Sequence, residues 1–312
     1  METRLKPALA VRTHPALRHG IALFASLAVV TLAAWRPLAD TFVLSWRNNE
    51  YTQILLILPV AAALIYLKWD SLLAALAFGL RSGLALLALA LLVAVWAFAG
   101  ALPSDQQLSL YMTALVLSWI GIFFLCLGPR AARSVMFPLL FLFGMVPLPR
   151  IVLGPIIEWL QITSTYASHW LFALLGVPCV QDRFLLTIPG LTIDVAPECS
   201  SIRSSSMLFV TTLVLVYLLL RSPWRRLIVV ALSIPLSVAK NGLRIAVLGI
   251  LGTRVNRGYL TGRLHHQGGI LYLLIALVCI FAAIWWLRRG ENPALAPQRR
   301  IGQESRTTAA PR

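Results

Sequence analysis

Charge is scarce in this sequence, and acid scarcer still. Only 12% of the 312 residues are charged, and eleven of those are Asp or Glu. With 59% hydrophobic residues and a mean hydropathy of +0.82, the chain has too little polar surface to cover a soluble core, which leaves an integral membrane protein as its class. The four cysteines form no CxxC pair, no HExxH occurs, and no carboxylate cluster accompanies the histidines. A metal centre is therefore not expected, nor is any other cofactor. A phosphate-binding Gly-rich loop and a serine-hydrolase elbow are likewise missing.

The formal net charge of +16 does not point to nucleic acid. Its cations sit in short stretches between apolar runs and in the two tails, with no basic module interleaved with aromatics. Topology explains them better, because Lys and Arg mark the cytoplasmic side of a membrane protein. The partner this composition demands is the lipid bilayer.

Several apolar runs reach the roughly 20 residues that a membrane-crossing helix needs. A helix satisfies its own backbone groups in lipid, so the expected fold is an all-α polytopic membrane protein of about eight transmembrane helices. The spans are placed at 20–36, 52–69, 82–102, 108–127, 135–148, 204–220, 227–249 and 269–287. Arg4, Lys6, Arg12 and Arg18 precede the first run in the manner of a signal peptide. Trp35-Arg36-Pro37 offers no small-x-small cleavage site, so an uncleaved span is expected. The organisation predicted is a cytoplasmic tail over 1–19, one transmembrane domain over 20–287, and a polar, disordered cytoplasmic tail over 288–312.

Two stretches depart from this pattern. Residues 151–178 are apolar but interrupted by Glu158, Gln161, Thr163, Ser164, Thr165 and His169, which predicts short interfacial helices rather than another crossing. Residues 180–195 alternate apolar and polar on both sides of Pro189-Gly190, which predicts a small outer-face hairpin. The connections rich in Lys68, Arg81, Arg130, Arg133, Arg221, Arg225 and Arg226 belong inside, with both termini. Those carrying Asp40, Glu50, Asp105, Asp182, Asp194 and Glu198 belong outside.

That topology brings three polar features to one depth on the outer side. Cys199, in "APECSSIRSS", precedes the sixth span. Arg244, in "KNGLRIA", lies in the outer half of the seventh. His265 and His266, in "RLHHQGG", precede the eighth. A thiolate is a nucleophile whose pKa a nearby cation lowers. A histidine moves protons near neutral pH, and a guanidinium holds an oxyanion. Together they suit acyl transfer or peptide cleavage through a thioacyl intermediate.

Plainer readings stand beside each assignment. Cys126 and Cys279 read as small packing residues. The same role is open to Cys199, as is a disulfide with Cys179. Arg244 could form a structural ion pair with Asp194 or Glu198. Lys240, at i,i−4 from Arg244, would repel it and calls for a nearby carboxylate. The two histidines could be interfacial polar residues, and His19 and His169 are given no role. The serines after Cys199 read as capping or packing groups.

In "ECSSIRSS" (198–205), "NGLRIA" (241–246) and "LHHQGG" (264–269), the chain resembles the exosortase/archaeosortase family of membrane cysteine transpeptidases. Weaker similarity lies in "NNEYTQILLILP", "VPLP" and "LLGVPCV", so that the resemblance covers about 45–287. It implies Cys199 as nucleophile, Arg244 as the catalytic arginine and His265 as the catalytic histidine, with His266 as the alternative. Glu198, Arg203 and Asn241 are expected around them. Ser201 stands where that family usually has glycine, a substitution that would strain a backbone needing positive φ. The resemblance also implies the partners. These are membrane-anchored substrate proteins with a C-terminal sorting signal (a Pro-Glu-Pro-like motif, a transmembrane helix and a basic tail) and an acceptor nucleophile. A bacterial inner membrane and a role in exopolysaccharide and cell-surface biogenesis follow from it as well. The rival reading is a non-enzymatic transporter or export component for exopolysaccharide, which would be expected to carry broken helices in paired halves.

Overall fold

The computed structural model describes residues 7–196, 202–254 and 263–290, with side chains from residue 17 and, in the last stretch, from residue 269. The architecture is all-α and polytopic, apart from one small sheet. Among the described residues, six helices are long and apolar enough to cross a membrane, or eight if each of two bent helix pairs counts as a span. Large side chains such as Leu32, Leu92, Phe98, Val278 and Trp286 remain exposed, which is the surface a bundle presents to lipid rather than to water.

The chain opens with α1 (Pro7–Ala33), which bends by 74° into α2 (Trp35–Arg47). The first apolar run thus starts earlier than its predicted boundary, and a second, amphipathic helix follows it where none was expected. A 3-10 turn (Asn49–Tyr51) leads into α3 (Ile54–Tyr66), the short α4 (Trp69–Leu73) and α5 (Leu80–Ala99).

The long α6 (Ser104–Ser134) packs along α5 and breaks at Gly128, whose φ is +82°. Pro129 has no N–H to give to Leu125 O, so the break leaves a buried acceptor that needs another donor. Gly79 N donates to Leu125 O (3.1 Å), Ala77 N to Leu127 O (3.1 Å), and His19 Nδ1 to Cys126 O (2.6 Å). Three consecutive carbonyls are thereby served from α1 and from the segment before α5.

The next bent pair is α7 (Met136–Phe141), continued by a 3-10 turn (Leu142–Met145), and α8 (Arg150–Leu174), set at 90° to it. Pro147 and Pro149 stop the helix as predicted. Helix α8 is one continuous element of 25 residues, however, not the short helices expected from its polar interruptions. Three of those interruptions, Gln161, Ser164 and Thr165, are turned inward and buried, as is Ser168, while Glu158 stays exposed. Thr165 and Ser168 donate to the carbonyls one turn back, Gln161 O (2.7 Å) and Ser164 O (2.8 Å), so the helix absorbs its own hydroxyls.

The predicted hairpin is a three-stranded antiparallel meander, β1 (Val180–Asp182), β2 (Leu185–Ile188) and β3 (Leu191–Asp194). Its second turn, at Pro189-Gly190, is where the sequence placed it. Its first turns at Arg183 with φ +51°, a non-glycine residue that gives no turn signal. Leu186, Ile188 and Val195 pack with Phe172 of α8 and with Ile245 and Ala246 of α10. Three further helices complete the chain: α9 (Ile202–Leu219), α10 (Pro223–Arg254) and α11 (Arg263–Arg289).

Cations gather at one end of this bundle, and several close helix C-termini. Lys68 Nζ donates to Ser134 O (2.8 Å) at the end of α6, and Arg226 Nε to Leu220 O (2.8 Å) just after α9. Arg225 donates to Leu287 O (2.8 Å) and Gly290 O (2.6 Å) around the end of α11. Such placement satisfies orphan carbonyls and opposes the negative end of each helix dipole. Helix α1 passes this end at His19, and α11 finishes there.

Candidate active site

The opposite end of the bundle holds a cavity of about 1500 Å³. Pockets for drug-sized ligands measure roughly 300–1,000 Å³, so this space is larger than a small molecule needs. Its walls come from seven places in the chain: the α1–α2 bend, the Asn49–Tyr51 turn, and the first turns of α6, α8 and α9, with Arg244 of α10 and Gly269, Ile270 and Leu273 of α11.

Side chains from several helices fix this end. The Pro147-Leu148-Pro149 segment lacks two N–H groups but keeps its carbonyls, and these find donors in Ser109 Oγ (2.6 Å to Pro147 O) and Tyr51 Oη (2.9 Å to Leu148 O). Asp105 Oδ2 accepts from Arg150 N (2.8 Å) and so closes the start of α8. Gln161 Nε2 donates to Val195 O (2.8 Å), fastening the strand exit to α8. At the first turn of α9, Arg203 Nη1 donates to Asn49 Oδ1 (3.0 Å), and Lys240 Nζ of α10 donates to Ser204 Oγ (2.6 Å).

Arg244 is half-buried and lines the cavity, while Asn241, one turn earlier, is buried. Arg203 is exposed and also lines it. His265 and His266 stand on the first turn of α11, with their side chains outside the described set. Glu198, Cys199 and Ser201 lie outside the described residues. The described residues nearest them in sequence do meet: Ile202, three positions after Cys199, and Gly269, four after His265, face one cavity with Arg244.

Three readings are corrected. No carboxylate among the described residues pairs with Lys240, which bonds the Ser204 hydroxyl instead. Asp194, on the solvent face of β3, forms no ion pair with Arg244; the ion pair among the described residues joins Arg183 to Glu158 (3.0 Å) on the surface. Cys179 is a free thiol, so it is not bridged to Cys199. Burial pushes the Cys179 thiol up, which lowers its thiolate fraction at neutral pH.

Other lining residues carried no functional reading in the sequence. Arg36, Asp40 and Arg47 come from α2, Asn49 and Glu50 from the 3-10 turn after it, Asp105 from the start of α6 and Arg150 from the start of α8. Of these, Asp40, Glu50 and Asp105 served in the sequence only to assign sides. Arg36, Arg47 and Arg150 have no carboxylate within ion-pair distance among the described residues.

The fold and the site define an all-α polytopic membrane protein with a large, arginine-lined cavity at one end. The protein belongs to the transmembrane exosortase family, whose sequence model matches residues 45–282. That family gives its members a general role as membrane transpeptidases of the cysteine type, sorting exported proteins. No curated relative and no solved structure matches the chain.

Proposed function

We propose that the protein is a cysteine endopeptidase/transpeptidase that cleaves the C-terminal sorting signal of exported proteins at the outer face of a bacterial inner membrane. Cys199 is the nucleophile. His265 takes the thiol proton, the sulfur bonds to the carbonyl carbon of the scissile peptide, the C–N bond breaks, and His265 returns that proton to the leaving amine. The thioacyl intermediate then passes to the acceptor nucleophile or to water. Arg244 stabilises the thiolate before attack and the oxyanion during it. Glu198, Arg203 and Asn241 support these groups, and His266 is the alternative acid–base residue.

The observation that carries this reading is the shared cavity of Ile202, Arg244 and Gly269. Ile202 is three positions from Cys199, and one helical turn separates Gly269 from His265. The charge of the cavity supports the substrate class. Five arginines (Arg36, Arg47, Arg150, Arg203 and Arg244) line it against three carboxylates (Asp40, Glu50 and Asp105), an excess that suits a motif carrying an acidic residue.

Co-expression with a protein bearing a Pro-Glu-Pro-like motif, a transmembrane helix and a basic tail tests the proposal. The wild-type enzyme shortens that substrate, and Cys199→Ala and Cys199→Ser do not, since serine lacks the thiol's readily formed anion. Shortening that persists in Cys199→Ala overturns the mechanism. The transporter reading has one feature in its favour, the two helix pairs bent by 74° and 90°. The same experiment separates it, because transport leaves the length of the substrate unchanged.

A further inference from the structure

Lys240 is an odd residue for the middle of a membrane helix. It is 5% exposed and sits one turn before Arg244 on α10. A buried ammonium usually recruits a carboxylate, yet its hydrogen bond among the described residues goes to a single neutral hydroxyl, Ser204 Oγ at 2.6 Å. Packing alone has no use for a cation here, and an apolar side chain of similar volume would fill the space at lower cost.

The bond does have a mechanical consequence. Ser204 lies on the first turn of α9 and lines the cavity, and Cys199 stands five positions before it in the chain. Lys240 therefore ties that turn to α10 one turn before Arg244. The adjacent Arg203 is bound in another direction, to Asn49 Oδ1 at 3.0 Å. Consecutive helical residues project about 100° apart, so two anchors on neighbouring residues fix both the place and the rotation of the helix start.

We propose that Lys240 is a positioning residue of the active site, acting through Ser204 to set the start of α9, and with it the Cys199 segment, against Arg244. This inference rests on the reading of Cys199 as nucleophile. Its role is geometric and directional, so arginine, longer and planar, does not replace it.

The test is a double-mutant cycle on substrate processing with Lys240→Met, Ser204→Ala and the pair together, alongside the rate at which iodoacetamide alkylates Cys199 without substrate. Each single change is expected to lower kcat by roughly tenfold while KM moves by less than about twofold, with the double variant no slower than the worse single. Cys199 alkylation should change in Lys240→Met and Ser204→Ala alike, and Lys240→Arg should not restore kcat. Fold-changes that multiply, a Lys240→Met enzyme at wild-type rate, or an effect on KM alone each overturn the proposal. If Lys240→Met does not elute as a single species in detergent, Lys240→Gln takes its place in the cycle. Processing that survives in Cys199→Ala refutes the nucleophile and leaves the Lys240–Ser204 coupling readable. An additive cycle with a dead Cys199→Ala refutes the positioning role alone.

Discussion

His19 occupies a position that leucine could fill by volume but not by chemistry. It is buried, its ring lies 4.1 Å from that of Phe78, and its Nδ1–H supplies the donor that Cys126 O lost when α6 broke. His19→Leu leaves that carbonyl buried and unsatisfied, at a cost of about 1–3 kcal/mol. Gly128→Ala attacks the same joint from the other side. At φ +82° an L side chain is strained, and its Cβ would stand 2.5 Å from Ala77 O, which forces the paired segment apart. Both variants should melt below wild type in detergent, Gly128→Ala the lower, as followed by the thermal loss of a monodisperse elution peak. A Gly128→Ala protein with unchanged Tm would mean that the break in α6 does not need its left-handed residue. The sequence offered little warning of this joint. His19 is an ordinary residue in an amino-terminal run, and its role depends on a carbonyl 107 residues away.

Between elements, close approach depends on small residues. At Gly242 a Cβ would meet Ala167 Cβ at 2.6 Å and Ser168 N at 3.2 Å, and Ser168 Oγ lies 3.2 Å from Gly242 O. Helices α8 and α10 therefore touch backbone to backbone, the arrangement small residues permit in membranes. Gly242→Leu should separate them at a cost of about 1–3 kcal/mol from overpacking and slow processing, because Arg244 is two residues away; Gly242→Ala should do less. A Gly242→Leu enzyme with wild-type Tm and kcat would show that the contact is dispensable. The same pair of helices marks where sequence reading succeeds and where it stops. The long apolar runs of α5, α9, α10 and α11 are legible because lipid demands uninterrupted hydrophobicity of each span. The continuity of α8 is hidden because its Gln, Ser and Thr look like breaks until their partners, Val195 O and the carbonyls one turn back, are known. The third strand is hidden for a similar reason, since Arg183 turns the chain without glycine or asparagine. Of the site, the motif residues stand out by their rarity in an apolar chain. Lys240's hydroxyl partner and the arginines of α2 emerge only once helices distant in sequence are brought together.

At the scale of the whole molecule, charge is divided between the two ends of the bundle. At one end Lys68, Arg225 and Arg226 close helix C-termini, and Arg221, Arg288 and Arg289 add to the cation density. At the other, arginines share the cavity with Asp40, Glu50 and Asp105. The positive-inside bias concerns cations rather than net charge, and our proposal follows it in assigning the capping end to the cytoplasm and the cavity to the outer side. On that proposal the protein meets its substrates after export, with the cavity arginines toward the segment that has crossed. Reporter fusions decide the matter. Alkaline phosphatase joined after Gly190, between β2 and β3, should be active, and a green fluorescent protein joined after Arg289 should fluoresce. The swapped fusions, phosphatase after Arg289 and fluorescent protein after Gly190, should both be silent. A fluorescent Gly190 fusion would invert the protein in the membrane. It would also place the cavity in the cytosol, where an exported substrate could no longer present its motif after crossing.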